Sequence, residues 1–142
     1  MLISQWPPTA SVIAVLQLTG AVINTCYSYQ INVRNAPKDL TRILNGLKSL
    51  RDVLERLRAL ANAEDANGSS RLSSSLQLLS RDDGPISELE ALLKHVEKTL
   101  GTPGNWKTRL LWSFKEGEVN KMLEQMEGNK STIEAAILTD HM

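Results

Sequence analysis

Apolar residues recur along this chain at spacings of three and four, the rhythm of helices that each bury one face. After Pro7-Pro8, which breaks any structure before it, Thr9 or Ser11 can cap a first helix running through Ile23 towards Tyr27 or Tyr29. One stripe of it holds Val12, Val15, Leu16, Val22, Ile23 and Cys26, but Ile13, Leu18 and Ala21 lie off that stripe. A helix apolar on nearly every side is expected at the centre of a fold. A second helix follows Asn35-Ala36-Pro37, with Leu40, Ile43, Leu44, Leu47, Leu50, Leu54, Leu57 and Ala61 as its stripe. Asn67-Gly68-Ser69-Ser70 interrupts it, and a short helix carrying Leu72, Leu76 and Leu79 is expected before Arg81-Asp82-Asp83-Gly84. Pro85 restarts a helix with Ile86, Leu89, Leu92, Leu93, Val96 and Leu100 inward, favoured by Glu88 and Glu90 and ended by Gly101. The last helix starts near Glu116 and carries Val119, Met122, Leu123, Met126, Ile133, Ala136 and Ile137, with Gly128 as a kink or break. Between these two lies an aromatic cluster, Trp106, Trp112 and Phe114 with Leu110 and Leu111, of which Trp112 and Phe114 read as core plugs rather than a partner-binding anchor.

The pattern predicts an all-α bundle of four to six helices around a central apolar N-terminal helix. It forms one domain over residues 1–142, with a tail at 1–9 and internal loops at 64–71 and 80–85. Composition agrees: 22 Leu stand against one Phe and two Tyr, a balance favouring helices over strands. A chain of 142 residues buries about two-thirds of its unfolded surface.

Charge changes the picture more than composition does. Residues 1–33 carry no charged side chain, and the following 109 hold all sixteen Lys and Arg and all sixteen Asp and Glu. Net charge is zero, which argues against a general nucleic-acid binder. Locally, 34–63 has seven basic and three acidic residues, whereas 64–142 has nine and thirteen. On a regular second helix Arg34, Lys38, Arg42, Lys48 and Arg56 fall within roughly 120° of one another, opposite the leucines. They are a candidate acidic-lipid surface, or a solvated face of the bundle.

The uncharged stretch must be buried in protein, in a partner or in lipid. Val12–Ile23 is twelve residues, a length typical of a core helix or interfacial segment. Extended through Val33 it spans about 33 Å, enough for a bilayer, although Asn24, Thr25, Gln30 and Asn32 weaken insertion. We therefore read it as conditionally membrane-active, buried at rest. Val12, Ile13, Val15, Leu16, Leu18, Val22 and Ile23 are the candidate inserting residues, with Arg34 and Lys38 kept on the cytoplasmic side.

Chemistry for catalysis is missing. Cys26 lies in the apolar segment as a small hydrophobe, with only His95 and His141 as distant bases. One Cys and two separated His give no zinc pattern. Gly101-Thr102-Pro103-Gly104-Asn105-Trp106-Lys107-Thr108 approaches a phosphate-binding loop, but Trp106 replaces the second glycine and a helix precedes it. We expect no enzymatic activity, no cofactor and no metal. Met1–Thr9 has no basic residue ahead of the apolar core, so an exported protein is not expected and the Asn67 and Asn129 triplets read as chance glycosylation matches. Ser69, Ser70, Ser73, Ser74 and Ser75 read as a soluble connection rather than a regulatory phosphorylation site.

Three segments carry a resemblance: Ala10-Ser11-Val12-Ile13-Ala14-Val15-Leu16-Gln17-Leu18, Leu47-Lys48-Ser49-Leu50-Arg51 with Leu54, and Leu111-Trp112-Ser113-Phe114-Lys115-Glu116-Gly117-Glu118-Val119. Over most of its length the chain resembles the fungal HeLo-like domains, the N-terminal domains of fungal STAND or NOD-like receptors. Ser113 stands where similar sequences commonly have Pro between the Trp and the Phe. Such domains are similar to the helical bundle of the mixed-lineage kinase-domain-like pseudokinase. The resemblance implies cell-death execution in fungal heterokaryon incompatibility or innate immunity. A cytoplasmic bundle would be clustered by a NOD-like receptor or amyloid-signalling partner, self-associate, release its first helix and permeabilise the plasma membrane. The rival expectation is a non-lytic oligomerisation or adaptor module of such a receptor.

Overall fold

The computed structural model describes residues 8–32, 38–67, 78–81, 83–100 and 117–141, and these are helices and one turn with no strand among them. The helices are α1 (Pro8–Asn32), α2 (Lys38–Asn67), α3 (Pro85–Leu100) and α4 (Glu118–His141). Leu78 and Leu79 are helical as well, at the edge of the expected short helix, the rest of which lies outside the described residues.

Each helix owes its face to the leucine rhythm. Every stripe position expected on α2 and α3 is buried, as are Val119, Met122, Met126, Ile133 and Ile137 of α4. Leu123 and Ala136 pack partly buried against the same core. Helix ends follow local chemistry. Pro8 is itself the first helical residue, because the amide it lacks would have no partner in the first turn. A turn that includes Ser80, Arg81, Asp83 and Gly84 precedes α3, and Gly84 is required there: a Cβ would lie 2.8 Å from the Leu79 carbonyl oxygen and 2.9 Å from that of Leu78. Gly117, with φ of 85°, leads into α4 and accepts the Lys121 amide at 3.2 Å.

The structure differs from the sequence expectation at three places. Helix α1 already includes Pro8 and Thr9 and runs on to Asn32, so it starts ahead of both expected caps, Thr9 and Ser11, takes in the end of the expected tail at 1–9, and extends past Tyr29. Helix α2 continues through Glu64–Asn67, so the first four residues of the loop expected at 64–71 are helical, and the rest lie outside the described residues; Ala63 to Ala66 are compatible with helix. Gly128 does not break α4, because the buried residues on either side, Met126 and Ile133, hold the helix against the core.

Contacts between helices set the topology. Helix α1 packs on α2 and α3, and α4 packs on the same two. The order around the bundle is therefore α1, α2, α4, α3, with α1 diagonal to α4. Side-chain pairs give the directions. Tyr27 meets Lys48 and Gln30 meets Thr41, so α1 and α2 are antiparallel. Arg42 meets Asn120, Ser49 meets Lys130 and Arg56 meets Glu134, so α2 and α4 are parallel. His95, near the end of α3, meets Glu118 at the start of α4. Gly46 lets α2 and α4 approach closely, since a Cβ there would stand 3.1 Å from Met126 Sδ and 3.2 Å from Leu123 Cδ2.

This geometry corrects the position of the first helix. It occupies a corner of the square and not its centre: Val12, Val15, Leu16, Thr19, Val22, Ile23, Cys26 and Tyr29 face the core, while other positions reach the surface. Apolarity on every side does not force a helix inside when two neighbours already complete its buried face.

Candidate functional site

The candidate site is the outward side of α1 with the adjoining face of α2. Five of the seven proposed inserting residues, Val12, Val15, Leu16, Val22 and Ile23, point into the bundle and are buried. Ile13 and Leu18 are half-buried at the flanks, and Leu18 packs against the core. The surface of α1 that faces out consists of Gln17, Ala21, Asn24, Tyr27 and Ile31, bordered by half-buried Ala10, Ala14, Gly20, Thr25 and Ser28. None of these side chains carries a charge, and Ile31 is 82% exposed. Ala10–Ile31 is long and apolar enough to cross a membrane by length and composition, a test that the core helix of a soluble protein also passes; 39% of its most apolar stretch is buried.

Two hydroxyls on this helix are satisfied within it. Thr19 is fully buried and donates to the Val15 carbonyl at 2.7 Å, and Thr25 donates to Ala21 at 3.0 Å. A helix whose hydroxyls bond its own backbone presents fewer unsatisfied donors to an apolar medium. Cys26 is buried among apolar neighbours, and this desolvation pushes its thiol up to about 12. A thiol kept protonated is a poor nucleophile, in keeping with a packing role.

The basic residues of α2 are divided between two flanks. Arg34 lies outside the described residues. Lys38 is exposed and has no ion pair among the described residues. Arg42 pairs with Asp39 at 3.1 Å and donates to Asn120 Oδ1 at 2.8 Å. Arg56 reaches Glu134 at 3.5 Å. Both arginines thus lean towards α4. Lys48 leans the other way, its ammonium 5.0 Å from the centroid of the Tyr27 ring. The exposed surface that they share also carries Asp52 and Glu55. The periodicity of α2 placed these cations on one side of the helix; the partners on α1 and α4 separate them, and those depend on interhelical register.

Between α2 and α4 an open cavity of about 410 Å³ is lined by Arg42, Gly46, Asn120, Leu123, Glu124, Met126 and Glu127. Among the described residues no cluster of His, Cys, Asp and Glu could hold a metal ion. Trp106, Trp112 and Phe114 lie outside the described residues.

Sequence reasoning missed the contribution of Tyr27 and Gln30, which tie α1 to Lys48 and Thr41 of α2. Their alternation with buried Cys26 and Tyr29 was the available signal. Compared with protein-family models, curated proteins and solved structures, the chain matches none.

Proposed function

We propose that this bundle is a membrane-targeting domain whose first helix enters the bilayer on activation and permeabilises it. Cell-death execution, of the kind the HeLo-like resemblance implies, is the setting. The observation that carries the reading is the outward face of α1: a 25-residue helix without one charged side chain, at a corner of the fold. A water-facing helix gains solubility from charge, and an uncharged one removes the main obstacle to insertion. The buried seam from Val12 to Tyr29 means that α1 must leave the bundle before it can span a membrane. Activation is therefore the exchange of core contacts for lipid contacts, with self-association supplied by clustering. At rest the domain is cytoplasmic, and on activation it moves to the plasma membrane.

In this mechanism Lys38, with Arg34, contacts acidic headgroups first, because it requires no ion pair to be broken among the described residues. Arg42, Lys48 and Arg56 join only as their contacts to Asp39, Asn120, Tyr27 and Glu134 are given up. The competing reading, a non-lytic oligomerisation module, is favoured by those same intramolecular contacts, since a bundle used as an adaptor keeps them all.

The two are separated by dye release from anionic and neutral vesicles, using the whole chain with and without forced clustering. Release that depends on clustering and on anionic lipid supports insertion. Self-association with vesicles left intact moves the assignment to the adaptor.

A further inference from the structure

The two halves of α1 are held in different ways. Beyond Gly20, the Tyr27 ring carries the Lys48 ammonium, the Gln30 Nε2 donates to Thr41 Oγ1 at 3.4 Å, and five residues of chain join α1 to α2. Ahead of Gly20, Val12, Val15 and Leu16 contribute apolar burial. Among the described residues, no side chain from Ala10 to Thr19 makes a hydrogen bond or ion pair to another helix. The halves meet at Thr19-Gly20. The Thr19 hydroxyl bonds back to the Val15 carbonyl at 2.7 Å, as Thr25 does to Ala21 at 3.0 Å, a contact that slightly destabilises and often bends helices; only at Thr19 is the next residue a glycine. At Gly20 a Cβ would meet nothing within 4 Å, so packing does not demand a glycine there. A glycine inside a helix weakens it locally and lets it bend.

We infer that α1 is hinged at Thr19-Gly20, so that Pro8–Thr19 opens as a unit while Ala21–Asn32 stays clasped to α2. Local opening of this kind follows the distribution of contacts: the half with fewer cross-links to other helices among the described residues opens at lower cost than the half tied to α2. The hinge concerns the resting protein in water and stands apart from the membrane reading. If both hold, the N-terminal half of the apolar helix is the first part offered to a bilayer.

Amide hydrogen exchange of the full chain without lipid tests the hinge. The Val15–Leu18 amides are expected to exchange about tenfold or more faster than those of Ile23–Tyr27. Gly20→Ala, which meets no clash, should slow the first group roughly two- to fivefold by extending helical coupling across the joint. Gly128→Ala is the control, because that helix-interior glycine of α4 also has nothing within 4 Å of its would-be Cβ, and it should leave the ratio unchanged. Equal protection along α1, faster exchange of the C-terminal half, or equal responses to the two alanines would each overturn the hinge. None of these outcomes depends on whether vesicles are permeabilised.

Discussion

Helices α1 and α3 face the same core from adjacent corners, yet their outward sides could hardly differ more. Helix α3 buries Ile86, Leu89, Leu92, Leu93, Val96 and Leu100 and turns Glu88, Lys94, Glu97 and Lys98 to water, with Lys94 bonded to Glu90 at 2.8 Å. Helix α1 buries an equivalent stripe and turns out Gln17, Ala21, Asn24, Tyr27 and Ile31. Burial alone therefore does not explain α1. The core dictates the inward face of each helix, and the outward face is left to whatever else the helix must do. On α3 that is solubility, whereas on α1 the omission of charge extends over every turn.

The comparison can be broken by giving α1 the outer surface of α3. Gln17→Glu with Ala21→Lys places an i, i+4 pair on two exposed positions, matching Glu90 and Lys94. Each buried charge costs about 2.5–3.5 kcal/mol at the centre of a membrane helix, so dye release should fall at least about a hundredfold. Thermal unfolding should change by no more than about 0.5 kcal/mol, as for other surface substitutions. If the variant still permeabilises vesicles at the parent rate, the insertion reading fails. These positions are better probes than Leu18, where a charge would also disturb the core packing.

The inward faces should respond alike. Leu93→Ala in α3 removes a side chain with no exposed surface and is expected to cost about 2–4 kcal/mol in denaturant unfolding. A much smaller loss would mean that the side of the core shared by α1 and α3 is loosely packed. A polar exception lies on α4, where Asn129 is buried with its Nδ2 unpartnered. Asn129→Leu should stabilise the fold by about 1 kcal/mol, because an unsatisfied buried donor is replaced by an apolar group. A loss of stability would show that the amide has a partner in solution.

The smallest expected effect separates α1 from α3 by pH. Cys26 stays protonated in the fold up to about 12, whereas in the unfolded chain it ionises near its ordinary value of about 8.5. The unfolded state therefore loses its proton first, and the contribution to stability, complete below the unfolded value, declines as pH rises through this window. Between about pH 8.5 and 9.5 the loss should reach about 1 kcal/mol, and Cys26→Ala should abolish that slope. An unchanged slope in the alanine variant would assign the pH dependence to other groups.

Most of the fold was legible in the sequence because leucine spacing, proline starts and the Gly84 turn are local signals. The stripes of α2 and α3 were readable position by position, since each depends only on 3.6-residue periodicity. The corner position of α1 was not, because an apolar surface records what a helix tolerates and leaves open what covers it. The division of Arg42 and Arg56 from Lys48 was hidden for another reason. It depends on where Asn120, Glu134 and Tyr27 arrive from other helices, which no single-helix pattern contains. Gly128 was misjudged because propensity is a weak prior beside the burial of Met126 and Ile133.

The circular order of the helices has one more consequence. Helices α2 and α3 face each other across the diagonal and are bridged by α1 on one side and α4 on the other. A square deprived of one corner becomes a trough, and its walls are the leucine-rich flanks of α2 and α3. Departure of α1 would thus create two adhesive objects from one: a bare apolar rod, and a concave strip wide enough for a helix. Neither can remain in water at little cost, so opening at this corner would couple leaving the bundle to finding company.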